Sequence, residues 1–188
     1  MKNIIIITAI LITSYQSDAQ NKVRFSSQNY IGVLAGSSET DAHIQTINGL
    51  AFNKWFTGIG TGIDWYYYRS IPVFLSGERS FSIKARKKFY LSGAAGVNFP
   101  WNENIYRDWN WWSDSKLYPG LYWNAGFGYK IAVGKQNDAL LLHIGYSNKF
   151  YKEKLTGTYP CLIPPCPEYN ETFNYNLRAL SVKVGWGF

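Results

Sequence analysis

The last nine residues of the chain alternate strictly between apolar side chains and small or polar ones. Successive side chains of a β-strand point to opposite faces of a sheet, so this segment predicts a strand with one apolar face. The other face is small or polar and carries the charge of Lys183. Any fold for this chain must therefore contain a sheet with one apolar surface. The apolar residues are Leu180, Val182, Val184, Trp186 and Phe188.

The same alternation recurs along the chain. In residues 55–67 the apolar face runs from Trp55 to Trp65 and Tyr67, and the opposite face carries three glycines. Aromatic residues about ten positions apart match the length of a tilted membrane strand, and glycines suit the crowded interior of a narrow barrel. With the carboxyl-terminal strand, the count of predicted strands is eight. The others fall near residues 29–37, 42–52, 71–81, 89–99, 121–131 and 140–147, and the facing of the first two is left open.

The connections between the predicted strands differ in length in a regular way. The second, fourth and sixth connections are short, at residues 53–54, 83–86 and 134–137. The long connections, residues 102–117 and 151–173, both fall among the odd-numbered ones, with shorter ones at 37–40 and 68–70. Outer-membrane barrels alternate short inner turns with longer outer loops, whereas a soluble β-sandwich has no reason to keep this order.

The amino-terminal residues have the pattern of an export signal. Lys2 is followed by the apolar run of residues 4–12 and then by Ser17-Asp18-Ala19, a small-x-small end. The apolar run is shorter than the roughly 20 residues that a membrane-spanning helix needs. The sequence therefore predicts a cleaved secretory signal peptide at 1–19 and one domain at 20–188.

Taken together, these segments resemble the small, eight-stranded, porin-like outer-membrane β-barrel family of Gram-negative bacteria. The resemblance rests on the signal end Ala19-Gln20, on Ile47-Asn-Gly, Phe52-Asn-Lys-Trp-Phe, Ile71-Pro-Val-Phe, Gly126-Phe-Gly-Tyr and on Trp186-Gly-Phe188. It implies an all-β, eight-stranded, antiparallel up-and-down transmembrane β-barrel in the cell outer membrane, in contact with its lipid. It also implies that Trp186 and Phe188 form the signal that the barrel-assembly machinery reads. One departure is Lys183, which stands where the family usually has glycine.

The charge of the chain restricts its partners. Nineteen Lys and Arg against twelve Asp and Glu give a formal net charge of +7. In an exported chain, this excess favours anionic lipid headgroups or surface glycans as partners and excludes nucleic acid. The sequence contains no phosphate loop, zinc-ligand spacing or nucleotide fingerprint, so we expect no cofactor and no metal.

Several polar residues fall on strand faces that we predict to point inward: Asp64, Glu78, Lys130, His143, Ser147, Lys149 and Lys183. Charges inside a narrow barrel usually pair and fill the lumen. We therefore expect a closed interior in which Lys183 pairs with Glu78 or Asp64. The alternative is a polar conducting path, that is, a narrow porin for small solutes.

His143, Ser147 and Glu78 raise a second alternative, a lipid-modifying barrel enzyme similar to the lipid A deacylases. A histidine, a serine and a carboxylate together can make a hydrolytic set. The deacylase pattern is His-x-Ser-Asn, however, whereas here Ser147 stands four residues after His143. These side chains are also predicted to point inward and not toward lipid. We therefore assign no catalytic residue.

The two long loops carry the remaining candidates. Trp109, Trp111 and Trp112 lie in a loop rich in Asn and Asp, where exposed indoles would suit a surface glycan or protein ligand. The alternative is that these rings pack on the loop itself. Cys161 and Cys166 bracket a proline-rich segment, and two cysteines in one exported loop predict a disulfide. The sequence thus predicts a non-enzymatic structural or surface-interaction barrel with loops 102–117 and 151–173 as its contact surface.

Overall fold

In the computed structural model, the described residues are 23–37, 39–84, 86–101, 113–133, 138–159, 161 and 165–188. These residues form nine β-strands and a single antiparallel sheet. The predicted signal peptide and the predicted turn at residues 134–137 lie outside them. The strands are β1 Arg24–Gly36, β2 Thr40–Phe52, β3 Trp55–Asp64, β4 Ser70–Lys84, β5 Lys87–Pro100, β6 Ser113–Tyr118, β7 Gly120–Ala132, β8 Ala139–Thr158 and β9 Glu168–Gly187.

Eight of these described strands close into a ring. Strands β1 to β5 pair in chain order, β5 pairs with β7, and β7 pairs with β8. The ring closes because β9 pairs with β8 on one edge and with β1 on the other. The carboxyl-terminal segment that alternates so strictly is therefore the strand that seals the barrel. Closure leaves no open sheet edge within the ring.

The ninth strand, β6, extends β7 beyond the ring. Both pair with β8, but Tyr118 lies opposite Lys152 whereas Tyr122 lies opposite Lys149, so the register shifts by one residue around Pro119. Such a shift is a β-bulge, and proline fits there because it cannot donate a ladder hydrogen bond. β6 and β7 together are one bulged strand.

The structure corrects the predicted outer loops. The segment 151–173 is mostly strand, because β8 continues to Thr158 and β9 begins at Glu168, leaving a connection of residues 159–167. The end of the predicted loop 102–117 is β6, and residues 102–112 lie outside the described residues. We call β6, residues 152–158 of β8 and residues 168–178 of β9 the outer sheet.

The third strand is shorter than the sequence predicts. β3 ends at Asp64 and not at Tyr67. Asp64 Oδ1 accepts a hydrogen bond of 2.7 Å from the main-chain N–H of Tyr66, an arrangement that turns the chain and competes with the strand ladder. Tyr67 then adopts a φ of 62°, a left-handed conformation that ends the extended backbone.

The outward face of the ring is an apolar band between two aromatic rims. Leu75 at 68% and Ile59 at 63% are among its most exposed side chains. Near the short turns Arg79 lies over the Trp55 ring, 5.2 Å from its centroid, and near the other end Arg69 lies 5.8 Å from the Trp101 centroid. An apolar band flanked by aromatic girdles is the surface that a transmembrane barrel presents to lipid. Among the described residues, no helix is long and apolar enough to cross a membrane.

Candidate functional site

The inward side chains fill the barrel with a mixture of rings and charges. An apolar cluster includes Tyr30, Phe56, Phe74 and Tyr122. The seven polar residues singled out from the sequence also lie inside: Asp64, Glu78, His143, Ser147, Lys149 and Lys183 are buried, and the side chain of Lys130 is 17% exposed. The structure divides them among separate contacts near the outer end, the middle and the short-turn end.

At the outer end, Lys149 is the centre of one group of contacts. Its Nζ lies 3.1 Å from Asp64 Oδ1, and both side chains are 2% exposed. Lys149 Nζ also donates to the main-chain oxygens of Tyr66, at 2.5 Å, and Tyr68, at 3.3 Å. The ammonium group is thus enclosed by one carboxylate and by the connection between β3 and β4. This ion pair fixes that connection onto β8.

Tyrosine rings close the same end of the lumen. The ring of Tyr68 lies 6.0 Å from that of Tyr151 and 5.9 Å from that of Tyr175, measured between centroids. Asn98 donates a hydrogen bond to the hydroxyl of Tyr151. Together with Lys149, these rings join the connection between β3 and β4 to the first residues of the outer sheet.

At the short-turn end, Glu78 is the centre of a second group. Lys130 forms an ion pair with Glu78 Oε1. Gln28 Nε2 donates to Glu78 Oε2 at 3.1 Å, and the Tyr30 hydroxyl donates to Gln28 Oε1 at 2.8 Å. Tyr90 extends the chain, with its hydroxyl 3.3 Å from that of Tyr30. A buried polar network whose members are bonded to one another holds the facing strands in place.

The predicted ion pair of Lys183 with Glu78 or Asp64 was wrong. Within the described part of the chain, no carboxylate lies within 4.0 Å of its Nζ, because Glu78 pairs with Lys130 and Asp64 with Lys149. Lys183 Nζ instead donates to Gln45 Oε1 at 3.2 Å and lies 5.4 Å from the Tyr30 ring centroid.

His143 and Ser147 do not form a catalytic pair in this structure. His143 Nε2 lies 2.9 Å from Ser92 Oγ, and its ring stacks on that of Tyr90 at 6.0 Å between centroids. Across the described residues, no hydrogen bond joins His143 to Ser147 or to Glu78. Both side chains are enclosed by the barrel wall, away from the lipid face.

Little space remains in the middle of the barrel. The cavity beside Tyr30, Gln45, His143 and Lys183 has a volume of about 20 Å³, which is room for about one water molecule. Gly60 shows how tightly the wall packs there, because a Cβ atom at this position would run into the ring of Phe74. The interior is a packed core.

The outer sheet is polar on the face that continues the apolar band. Along the outward positions of β9, Leu180, Val182 and Val184 give way to Arg178 and then to Asn and Thr. An apolar-to-polar change along one face marks the boundary of the hydrocarbon layer. The outer sheet therefore projects beyond the apolar band. Its outward residues on β9 are Glu168, Asn170, Thr172, Asn174, Asn176 and Arg178.

The direction of the main-chain groups of β9 follows from its pairing. Phe188 and Ser27 exchange two main-chain hydrogen bonds, of 2.9 and 3.0 Å, so Phe188 directs its N–H and C=O toward β1. The register with β8 is continuous from Glu168 to Gly187, so every even-numbered residue of β9 has this direction. The hydrogen bond from Tyr159 N–H to the oxygen of Pro167 agrees, since it places an odd-numbered residue toward β8.

On the amino-terminal side of Ala179, the edge of β9 that points away from β8 is unpaired within the described residues. The pairing of β1 with β9 ends at Gly36 and Ala179, after which the chain turns toward β2. The carbonyl of Arg178, the next edge group, accepts a hydrogen bond of 3.3 Å from the Tyr66 hydroxyl. The N–H and C=O groups of Asn170, Thr172, Asn174 and Asn176 then form a row of open donors and acceptors.

The inner face of the outer sheet is held by Glu153. Its Oε2 accepts a hydrogen bond of 2.6 Å from the Tyr175 hydroxyl, and its Oε1 accepts one from Ser115. Burial, and after it the hydrogen bond to Glu153, raises the pKa of the Tyr175 phenol above its ordinary value. Glu153 therefore ties β6 and β9 to β8.

The predicted disulfide is present. Cys161 and Cys166 are joined in the connection between β8 and β9. Trp109, Trp111 and Trp112 lie outside the described residues, so their proposed contact role stays a prediction.

Sequence reasoning missed Gln28, Tyr30 and Gln45 as interior residues, because the facing of the first two strands was left open. Their spacing in the sequence could have indicated the inward faces of β1 and β2. Gln28 and Tyr30 stand two apart, as do His43, Gln45 and Ile47, and all of them are buried. Sequence reasoning also missed the strand edge at residues 170–176.

The sequence matches no protein-family model and no curated protein. The fold is similar to that in the crystal structure of Neisserial surface protein A, with a TM-score of 0.54 over 88% of this chain and 97% of that chain. The two sequences are 12% identical, so the likeness concerns the fold alone. With the closed ring of eight described strands, it confirms the predicted eight-stranded antiparallel up-and-down β-barrel.

Proposed function

We propose that this protein is a surface-interaction barrel of the outer membrane, which binds extended peptide segments along the open edge of β9 in the outer sheet. The signal peptide predicted at residues 1–19 and the apolar band around Leu75 support the location. A packed interior supports a role that does not depend on transport. The contact surface is the strand edge at residues 170–176.

The observation that carries this proposal is the row of open main-chain groups outside the apolar band. Proteins usually protect such an edge with lysine, proline or a bulge, because it can pair with any extended chain. Residues 170–176 of β9 contain none of these, and their register with β8 is unbroken. Strand addition to an open edge is a common mode of peptide recognition, in which main-chain hydrogen bonds supply the affinity.

Replacing Asn174 by proline tests the edge directly. The Asn174 N–H points away from β8, so Asn174→Pro removes an edge donor and leaves the β8–β9 ladder its hydrogen bonds. We expect peptides selected from an immobilised library on the wild-type protein to lose about tenfold or more in affinity, since a donor is lost and the ring obstructs the added strand. Surface plasmon resonance gives the dissociation constants.

The matched control is Asn174→Ala, which removes the same amide side chain but keeps the main-chain N–H. We expect this variant to bind the selected peptides as the wild type does. Equal affinity of the proline variant, or equal losses in both variants, would contradict binding along the edge.

The narrow porin is the second candidate, because the lumen is lined by polar side chains. The ion pairs of Lys149 and Lys130 and the cavity of about 20 Å³ leave no room for a hydrated solute. We therefore expect no stepwise conductance when the purified protein is inserted into planar lipid bilayers. Regular conductance steps would favour the porin and contradict a closed interior.

Lipid modification has less support. Among the described residues, the Oγ of Ser147 forms no hydrogen bond with His143, and the barrel wall separates both side chains from lipid. We propose a non-enzymatic role.

A further inference from the structure

The barrel has a second cavity, at the end that carries the short turns. Its volume is about 200 Å³, ten times that of the cavity in the middle. Inward residues form its floor, among them Gln28, Phe56 and Leu141. The turns between β2 and β3 and between β4 and β5 form part of its rim through Lys54 and Arg86. It is therefore a recess in the mouth of the barrel, at the opposite end from the outer sheet.

The charge that lines this recess is mostly positive. Among the described residues Glu78 is its single carboxylate side chain, and Glu78 is already bonded to Lys130, Gln28 and Ser80. The terminal carboxylate of Phe188 also lines the recess, and its oxygen accepts a hydrogen bond from the main-chain N–H of Ser27. In the part of the chain that the structure describes, no carboxylate lies within 4.0 Å of Lys54, Arg86 or Lys88. The basic residues that line the recess are Arg24, Lys54, Arg86, Lys88 and Lys130.

Two of these cations face each other directly. Lys88 of β5 and Lys130 of β7 are partners in the strand register, and both point into the barrel. Like charges directly opposite on neighbouring strands destabilise a sheet. Arg24 and Lys88 also repel the ammonium group of Lys130. Glu78 attracts Lys130 more strongly than these two cations repel it, but it forms no ion pair with Lys88 among the described residues, and a bound anion would offset the repulsion further.

We propose that this recess is a binding site for a phosphate-type anion, held by Arg86, Lys88 and Lys54 with Lys130 behind them. Guanidinium and ammonium groups are the usual protein ligands of phosphate, the first through paired N–H groups and the second as a point charge. A volume of about 200 Å³ holds one phosphate group with a small substituent and excludes a polymer. The size and charge of the recess together select a small phosphorylated ligand or inorganic phosphate.

The phosphate can come from solution or from a lipid headgroup. The recess opens along the barrel axis, inside the ring of strands, whereas the surrounding lipid contacts the outward face. A headgroup would have to reach over the rim at Lys54, where Trp55 and Arg79 line an adjoining surface depression. The geometry favours entry from the aqueous side, and the source is decided in the test.

The test is a calorimetric titration of the folded, full-length protein in a neutral detergent with inorganic phosphate, at an ionic strength kept constant with sodium chloride. We expect saturable binding. In the double variant Arg86→Gln and Lys88→Gln, we expect the dissociation constant to rise about tenfold or more, because two direct charge contacts are lost. The matched control is Lys152→Gln with Lys154→Gln, which removes the same charge from exposed positions of β8 in the outer sheet. This control should bind phosphate as the wild type does.

No saturable binding in the wild type, or the same loss of affinity in both double variants, would overturn the proposal. The titration is then repeated in nanodiscs of phosphatidylcholine with and without phosphatidylglycerol. Competition by the anionic lipid supports the site and identifies a headgroup phosphate as its occupant, whereas unchanged binding supports the site with a soluble ligand. The outer-sheet proposal does not depend on this result, because the two sites lie at opposite ends of the barrel.

Discussion

Replacing Lys149 by methionine is expected to lower the free energy of unfolding by about 3–5 kcal/mol, the usual cost of removing one partner from a buried ion pair. Asp64 would be left buried at 1% exposure without its cation. The main-chain oxygens of Tyr66 and Tyr68 would lose a donor at the same time. Urea unfolding in lipid vesicles, followed by the difference in gel migration between unheated and heated samples, measures the change.

Two further variants separate the ion pair from the loss of a long side chain. Lys152→Met changes an exposed lysine on the same strand and should change the stability by less than about 0.5 kcal/mol. Combining Lys149→Met with Asp64→Asn removes both charges and should recover part of the loss. If Lys149→Met were as mild as Lys152→Met, the ion pair would not hold the outer end of the barrel closed.

Replacing Leu75 by arginine is expected to cost about 2–4 kcal/mol in a bilayer, the penalty for a charged side chain on the lipid face near the midplane. Leu75 is 68% exposed in the isolated chain and lies midway along the outward positions of β4 between Ile71 and Arg79. On the surface of a water-soluble sheet, the same substitution would be nearly neutral. The size of this single effect therefore distinguishes a lipid-facing wall from a solvated one. Urea titrations of folding into vesicles give the difference.

Thr172→Arg is the matched control, since it places the same charge on an outward position of β9 beyond the apolar band. We expect it to leave stability within about 0.5 kcal/mol of the wild type. Equal and small effects of both substitutions would contradict the membrane boundary drawn between Arg178 and Leu180.

The alternation of apolar with small or polar residues predicted most of the fold. The period-two pattern of residues 180–188 predicted the strand that seals the ring, and the predicted turn at 53–54 agrees with the ends of β2 and β3. The turn predicted at 83–86 is shorter in the structure, because β4 continues to Lys84. Alternation was less informative in the outer sheet, where the outward face is polar. Tyr169, Phe173 and Tyr175 do alternate with Asn and Thr, but the charged and proline-rich surroundings favoured a loop. The outer sheet was missed because its outward face is solvated and not lipid-facing.

The sequence could not predict which charged residues form ion pairs inside the barrel. The predicted strand faces placed Lys183, Lys130 and Lys149 in the lumen with two carboxylates, but they did not give the position of each side chain along the barrel axis. The strand register in the structure supplies that position. Glu78 lies opposite Phe56 near the short turns, and Asp64 lies opposite His43 at the far end of β3. Lys183 lies between these levels, within reach of Gln45.

Fractionation of the native cell, followed by gel electrophoresis of unheated and heated samples, tests the central claim most directly. A transmembrane barrel should be recovered with the outer membrane, and its unheated form should migrate differently from the heated form because the closed ring resists detergent. Recovery of the protein in the soluble periplasmic fraction, with the same migration before and after heating, would contradict the account.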